Sequence, residues 1–262
     1  MGLTRKSKRF LEILLLSGID SLAFAANPKS LIYGSIGWSS DRNASRHLTS
    51  MSEKGLISLG DKRASGKWIA QLTNEGKQTI LDDIDPERSW SQDWDGKWRS
   101  ISFDLPQSYR RERNHLNNWL KKHRFGNLQG SLWITHRKYA TWTNEIEELK
   151  IDPHSVLFQE SSPIGRLTNE EYVSKAWPFK KINLNYSKHI QFLSNNLPAS
   201  SQQPLSWFET ESNLWNAAFE MDPFLPDELL PSRYKGKEAW SLRKTTFANW
   251  SRNLATNLHP SE

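Results

Sequence analysis

The chain contains no cysteine in 262 residues. Disulfides, thiolate metal sites and cysteine nucleophiles are therefore excluded together, and a reducing compartment, the cytoplasm, is expected. Long apolar runs are also missing, since nothing approaches the roughly 18 apolar residues that span a bilayer. The opening "RKSKRFLEILLLSGIDSLAFA" imitates a secretory signal, with a basic start, an apolar run and an Ala23-Phe24-Ala25 pseudo-cleavage site. Glu12 and Asp20 argue against that reading, and the same residues fit an amphipathic helix with Phe10, Ile13, Leu14 and Leu16 inward. There is no G-x-S-x-G elbow and no phosphate-cradling glycine loop. The seven His lack metal-ligand pairing: His115 and His123 stand eight residues apart, and His154 and His189 lie in polar contexts. No catalytic residue, metal or cofactor is expected, and no membrane partner.

Aromatic residues and positive charge are abundant. Thirteen Trp, within an aromatic content of 11%, offer large apolar areas, and 36% hydrophobic with 24% charged residues is a globular composition. Two or three compact units suit the length. The net charge of +6 suits a polyanion, and its distribution says more. Residues 1–85 carry twelve Lys+Arg against nine Asp+Glu, and residues 97–150 eleven against five. Residues 151–262 carry eleven against twelve. The first 150 residues thus offer a docking side for nucleic acid, and the C-terminal third needs another explanation.

Breaks divide the chain into three blocks, 1–85, 86–165 and 166–262, and an α+β fold is expected. "DDIDPERSWSQDWDG" is acidic, contains Pro86 and Gly96, and reads as a linker. The first block has the order helix, helix, helix, hairpin, which is that of a winged helix-turn-helix. "NPKSLIYGSIG" makes its second helix, and "SSDRNASRHLTSMSEKG" its third. Ala44, Leu48 and Met51 stripe that third helix, leaving Arg42, Asn43, Arg46, His47 and Ser50 outward as side chains suited to bases and phosphates. Lys62, Arg63 and Lys67 lie on the hairpin "LISLGDKRASGKWIAQLT" as phosphate contacts of the wing. The alternative is a solvated polar face on a protein-interaction module.

In the middle block, "KWRSISFDLP" alternates Ile101, Phe103 and Leu105 with Ser100, Ser102 and Asp104, a half-buried strand. After Pro106 a helix places Tyr109, Arg113, Leu116, Leu120 and His123 on one stripe. "GNLQGSLWI" reads as a second strand and "SVLFQ" as a third. Strand, helix, strand suggests a ferredoxin-like βαβ unit. Asp104 has no companion carboxylate nearby in sequence, so a structural acid and a metal ligand supplied as a pair by a symmetric dimer both stay open.

"WDGKWRSISFDLPQSYRRERNHLNNWLKKHRFGNLQGSLWI" resembles the middle domain of the PaaX family, bacterial repressors of phenylacetate catabolism. That domain is itself similar to ferredoxin-like CRISPR-associated spacer-acquisition nucleases. "DPFLPDELLPSRYKGKEAW", residues 222–240, resembles the family's C-terminal motif, with Tyr234 where Trp is usual. The resemblance implies a homodimeric DNA-binding repressor released by an acyl-CoA effector. It also implies a double-stranded operator as partner, with dimerisation by the middle or C-terminal block. The C-terminal block reads as helical and aromatic. Arg233, Tyr234, Lys235, Lys237, Trp240 and Arg243 bring cations next to flat apolar surface and form the candidate effector site. The other reading of the same stripes is core.

Overall fold

An apolar stripe that recurs at helical spacing builds the first helix, α1 (Arg5–Ser17), which buries Phe10, Leu11, Ile13 and Leu14. The computed structural model describes residues 4–17, 21–24, 41–60, 68–138, 142–149, 151–162, 167–196 and 204–258. They divide into two units. The first comprises residues 1–85, 185–217 and 235–262, and the second residues 86–184 and 218–234. The helical block 166–262 is thereby shared between the two.

In the first unit α1 is followed by β1 (Ser21–Phe24), α2 (Asp41–Glu53), β2 (Ile57–Gly60), β3 (Trp68–Leu72) and α3 (Asn74–Ile84). The sheet is antiparallel in the order β1-β3-β2, with Ser21 opposite Gln71 and Ile57 opposite Leu72. This is the order of a winged helix. The segment 27–37, read as its second helix, and the wing tip 61–67 lie outside the described residues. β1 was not expected from the sequence, where residues up to Ala25 continue a helix. Four residues are too few to show a strand period, and pairing with β3 decides their conformation. The unit is completed by residues of α8 (Phe179–Asn195), α9 (Pro204–Phe219) and α10 (Gly236–Leu258), with α10 packing on α1.

The second unit opens with the short helix α4 (Glu87–Trp90) and continues β4 (Trp98–Phe103), α5 (Arg110–Lys122), β5 (Gly126–Gln129), β6 (Leu132–Thr135), α6 (Trp142–Glu148), β7 (Val156–Ser161) and α7 (Asn169–Ala176). Strand order β5-β6-β4-β7, every neighbour antiparallel, is that of a ferredoxin-like sheet. Its core joins Ile101, Phe103 and Leu105 to Leu116, Trp119 and Leu120 of α5 and to Trp142 and Ile146 of α6. Four expectations are corrected. "GNLQGSLWI" is a hairpin of two strands, because Gly130, at φ 54, turns the chain in a left-handed conformation that other residues avoid. β4 is covered on its second face at Trp98, whose ring stacks on Tyr172 at 6.1 Å and lies 6.0 Å from Trp177. The acidic segment 86–96 is no linker. Trp90 is buried, with ring contacts to Phe224 at 6.5 Å and Tyr234 at 5.9 Å. Two indoles outweigh the acidic, Pro- and Gly-punctuated context. Tyr109, placed on the inward stripe of α5, is exposed.

Candidate functional site

The face of α2 away from the core is the first candidate. Ala44, Leu48 and Met51 are buried, as the stripe requires, and Arg42, Asn43, Arg46 and Ser50 are exposed. Arg42, Arg46 and Ser50 follow one another at a spacing of four, and Asn43 stands three before Arg46, spacings that line one side of a helix. His47 is placed differently. Its ring is half-buried, with Nδ1 3.2 Å from Ser7 Oγ and 3.4 Å from Thr4 Oγ1 at the start of α1. Burial, then the nearby Lys6 charge, lowers its pKa. It serves the contact between α1 and α2. Lys62, Arg63 and Lys67 lie outside the described residues.

The six residues grouped as an effector site fall into both units. Arg233 is exposed, and its carbonyl accepts from Asn183 Nδ2 at 3.1 Å. Tyr234 donates its hydroxyl to Asp222 Oδ2, and Asp222 Oδ1 accepts the Phe224 N–H at 2.8 Å. The Tyr that replaces the motif's usual Trp thus supplies a donor to a fully buried carboxylate. Asp222 also orders the loop for Arg124, which donates to its carbonyl and to that of Phe219 and lies 4.3 Å from the Phe224 ring centroid. Lys235 pairs with Glu238 at 2.6 Å, and Lys237 is exposed. Trp240 and Arg243 are corrected: both are buried, and neither presents a charge or a flat face to a ligand.

Arg243 instead centres an ion network in the first unit. Its Nε donates to Glu211 Oε1 at 2.6 Å, its Nη1 to Glu12, and its guanidinium lies 4.7 Å from the Trp215 ring centroid. Glu211 also meets His189 Nε2 at 2.9 Å. His189 is 0% exposed and Glu211 1%, so the polar surroundings expected for His189 are replaced by a buried partnership. Burial alone pushes the Glu211 carboxyl up; the Arg243 guanidinium and the His189 hydrogen bond more than reverse this, leaving it at about 2. One charge from α1 and three polar groups from α8, α9 and α10 thereby hold the first unit together. Sequence reading missed the network because its members are separated by up to 231 residues.

Asp104 ends β4. It is exposed, and its N–H donates to the Ser155 carbonyl at 3.0 Å. It lines an open cleft of about 230 Å³ with Arg113 and Asn117, and Arg113 donates to the Leu105 carbonyl. Among the described residues no three His, Asp or Glu side chains stand together as metal ligands, and no helix is long and apolar enough to cross a membrane.

These observations define an α+β protein with a winged-helix element order and a ferredoxin-like domain. Residues 91–173 match the family model of the PaaX protein central Cas2-like domain, so the resemblance carried by the sequence motifs holds for this block. The solved structure of the uncharacterized protein Rv0674 from Mycobacterium tuberculosis is similar at a TM-score of 0.59 and 16% identity, covering 98% of this chain and 100% of that one. At that identity the likeness shows the fold. No curated protein matches the chain.

Proposed function

We propose that the protein is a sequence-specific, duplex-DNA-binding transcriptional repressor. The observation that carries this reading is the exposed row Arg42, Asn43, Arg46 and Ser50, set opposite a fully buried stripe on the helix that a winged helix lays in the major groove. These are the side-chain types that read base edges and grip phosphates. Homodimerisation, and release by a small acidic, acyl-CoA-like effector, are supported by the PaaX resemblance. Of the six residues first grouped for that effector, only the exposed Arg233 and Lys237 and the paired Lys235 keep cations at the surface.

Anisotropy titrations with the DNA upstream of the protein's own gene and with random duplex test the reading. Arg42→Ala and Arg46→Ala should each weaken specific binding by roughly 1–3 kcal/mol, while random duplex loses less. Each lost phosphate contact should flatten the salt slope by about 0.9. Equal affinity for the two duplexes in wild type overturns it. Two chains per operator, and release by phenylacetyl-CoA, are the outcomes expected for the dimer and the effector.

Asp104 is proposed as a structural strand-end acid, and the protein as a non-enzyme. Its backbone bond to Ser155 at the end of β4 supports the structural role. Asp104→Asn should leave operator affinity within about twofold. Cleavage of RNA or DNA with Mg²⁺ or Mn²⁺ by wild type but not by the Asn variant would restore the nuclease reading.

A further inference from the structure

At the C-terminal end of β6 the chain enters "HRK", residues 136–138, facing the turn "QDWD", residues 92–95, across a cleft of about 380 Å³. The turn is firmly built. Arg99, only 2% exposed, donates to Asp95 Oδ1 at 2.8 Å and to the His136 carbonyl at 3.1 Å. Trp94 donates its indole N–H to the Lys97 carbonyl at 3.0 Å and its backbone N–H to Glu228 Oε1 at 2.9 Å. This bonding spends Asp95 on Arg99, whose hydrogen bonds hold that carboxyl down at about 2.

His136 is not spent. It is 8% exposed, lines the cleft, and neither ring nitrogen has a hydrogen-bond partner among the described residues. A buried polar group left in that condition is costly, and two on one ring call for a partner from outside the fold. Burial, then the Arg137 and Arg99 charges, push the imidazole down to about 3, so it offers one N–H and one lone pair. Beside it Arg137 is half-buried, and among the described residues no carboxylate lies within ion-pairing distance. Its guanidinium is pushed down to about 10 by burial and by Arg124, and stays charged at neutral pH. Arg137 and Lys138 line the cleft with His136, opposite Asp93 and the Asp95 already bonded to Arg99. Charge and hydrogen-bonding capacity both ask for an acceptor with negative charge.

We propose that this cleft binds a small-molecule oxyanion, a carboxylate or a phosphate ester, held by Arg137 and by the His136 N–H, with Trp94 as an apolar wall. The site belongs to the ferredoxin-like unit and does not depend on the DNA-binding reading, because its test reads ligand binding directly. The full chain is titrated with inorganic phosphate and, separately, with benzoate, against chloride at equal ionic strength, by thermal unfolding and calorimetry. Either anion at about 10 mM should raise the unfolding temperature above the chloride control, as a ligand that binds only the folded state must. Phosphate alone points to a phosphate ester, benzoate alone to a carboxylate. Arg137→Gln should weaken binding about tenfold while leaving the fold intact. His136→Phe fills the ring volume without nitrogens; it should unfold no earlier than wild type in chloride and should lose the anion-induced shift. A shift no larger than that of chloride, or one that survives both substitutions, overturns the proposal. Unfolding of His136→Phe at lower temperature than wild type also overturns it, because the imidazole would then serve the fold.

Discussion

Replacing Arg243 with Met is expected to remove about 3–5 kcal/mol of stability at neutral pH, because it strips the counter-charge from carboxylates that stay inside. The size follows from burial rather than from the number of ion pairs. Arg243 and Glu211 are each 1% exposed, so water screens little of the loss, in contrast to the exposed Lys235–Glu238 pair. Met keeps the hydrocarbon volume against Trp215 and Phe247, which separates the electrostatic cost from a cavity. The pH dependence supplies a signature. In wild type the Glu211 carboxyl is depressed from 4.5 to about 2, so its contribution is full above 4.5 and is lost as pH falls towards 2. In Arg243→Met burial acts with less opposition and raises that carboxyl, so the variant should gain stability on mild acidification from pH 7 towards 4.5, where the wild-type contribution of Glu211 stays level. Glu211→Leu combined with Arg243→Met should cost less than Arg243→Met alone, since no unpaired charge is left at that position. Urea unfolding from about pH 2.5 to pH 7, followed by Trp fluorescence, reads all three; parallel pH profiles for wild type and Arg243→Met would refute the account.

That network also marks how far the sequence was legible. Local periodicity placed α1 and α2 by their buried stripes, and alternation placed Ile101 and Phe103 of β4 in the core. It could not place Glu12, His189, Glu211 and Arg243 together, because nothing local distinguishes a Glu on a helix that will be paired from one that will be solvated. The acidic run 86–96 misled for a related reason. Its charges, Pro86 and Gly96 are loop signals, yet Trp90 and Trp94 find partners far along the chain at Tyr234 and Glu228. The cations around Trp240 have the sequence pattern of a ligand site, and burial of Arg243 shows that one of them answers carboxylates on other helices. His136 carried no sequence signal at all. Its oddity is a pair of unpartnered nitrogens, visible only once burial is known. The exposed row on α2 was legible because outwardness on a helix follows from the buried stripe opposite.

Gly76→Ala is expected to destabilise the first unit by about 3 kcal/mol, the upper part of the range for forcing a methyl into packed structure. Helix propensity alone predicts the reverse, since Ala is favoured over Gly by about 1 kcal/mol inside a helix such as α3. The close approach decides the sign. A Cβ at Gly76 would stand 2.0 Å from the Leu56 carbonyl oxygen and 2.8 Å from its carbon, and backbone has no rotamer by which to retreat. The same carbonyl accepts the Thr73 N–H at 3.2 Å. Thr73 donates its hydroxyl to the Gly55 carbonyl at 2.6 Å and caps α3 by accepting the Gly76 N–H at 2.9 Å. Moving α3 away from Leu56 therefore loosens the cap and the junction where α2 passes into β2, the segment that sets the angle of the exposed row Arg42, Arg46 and Ser50. The variant should show faster amide exchange at the start of α3 and weaker operator binding, with random-duplex binding less affected. An unfolding midpoint equal to or above that of wild type would mean that propensity wins and that α3 does not lie this close to Leu56.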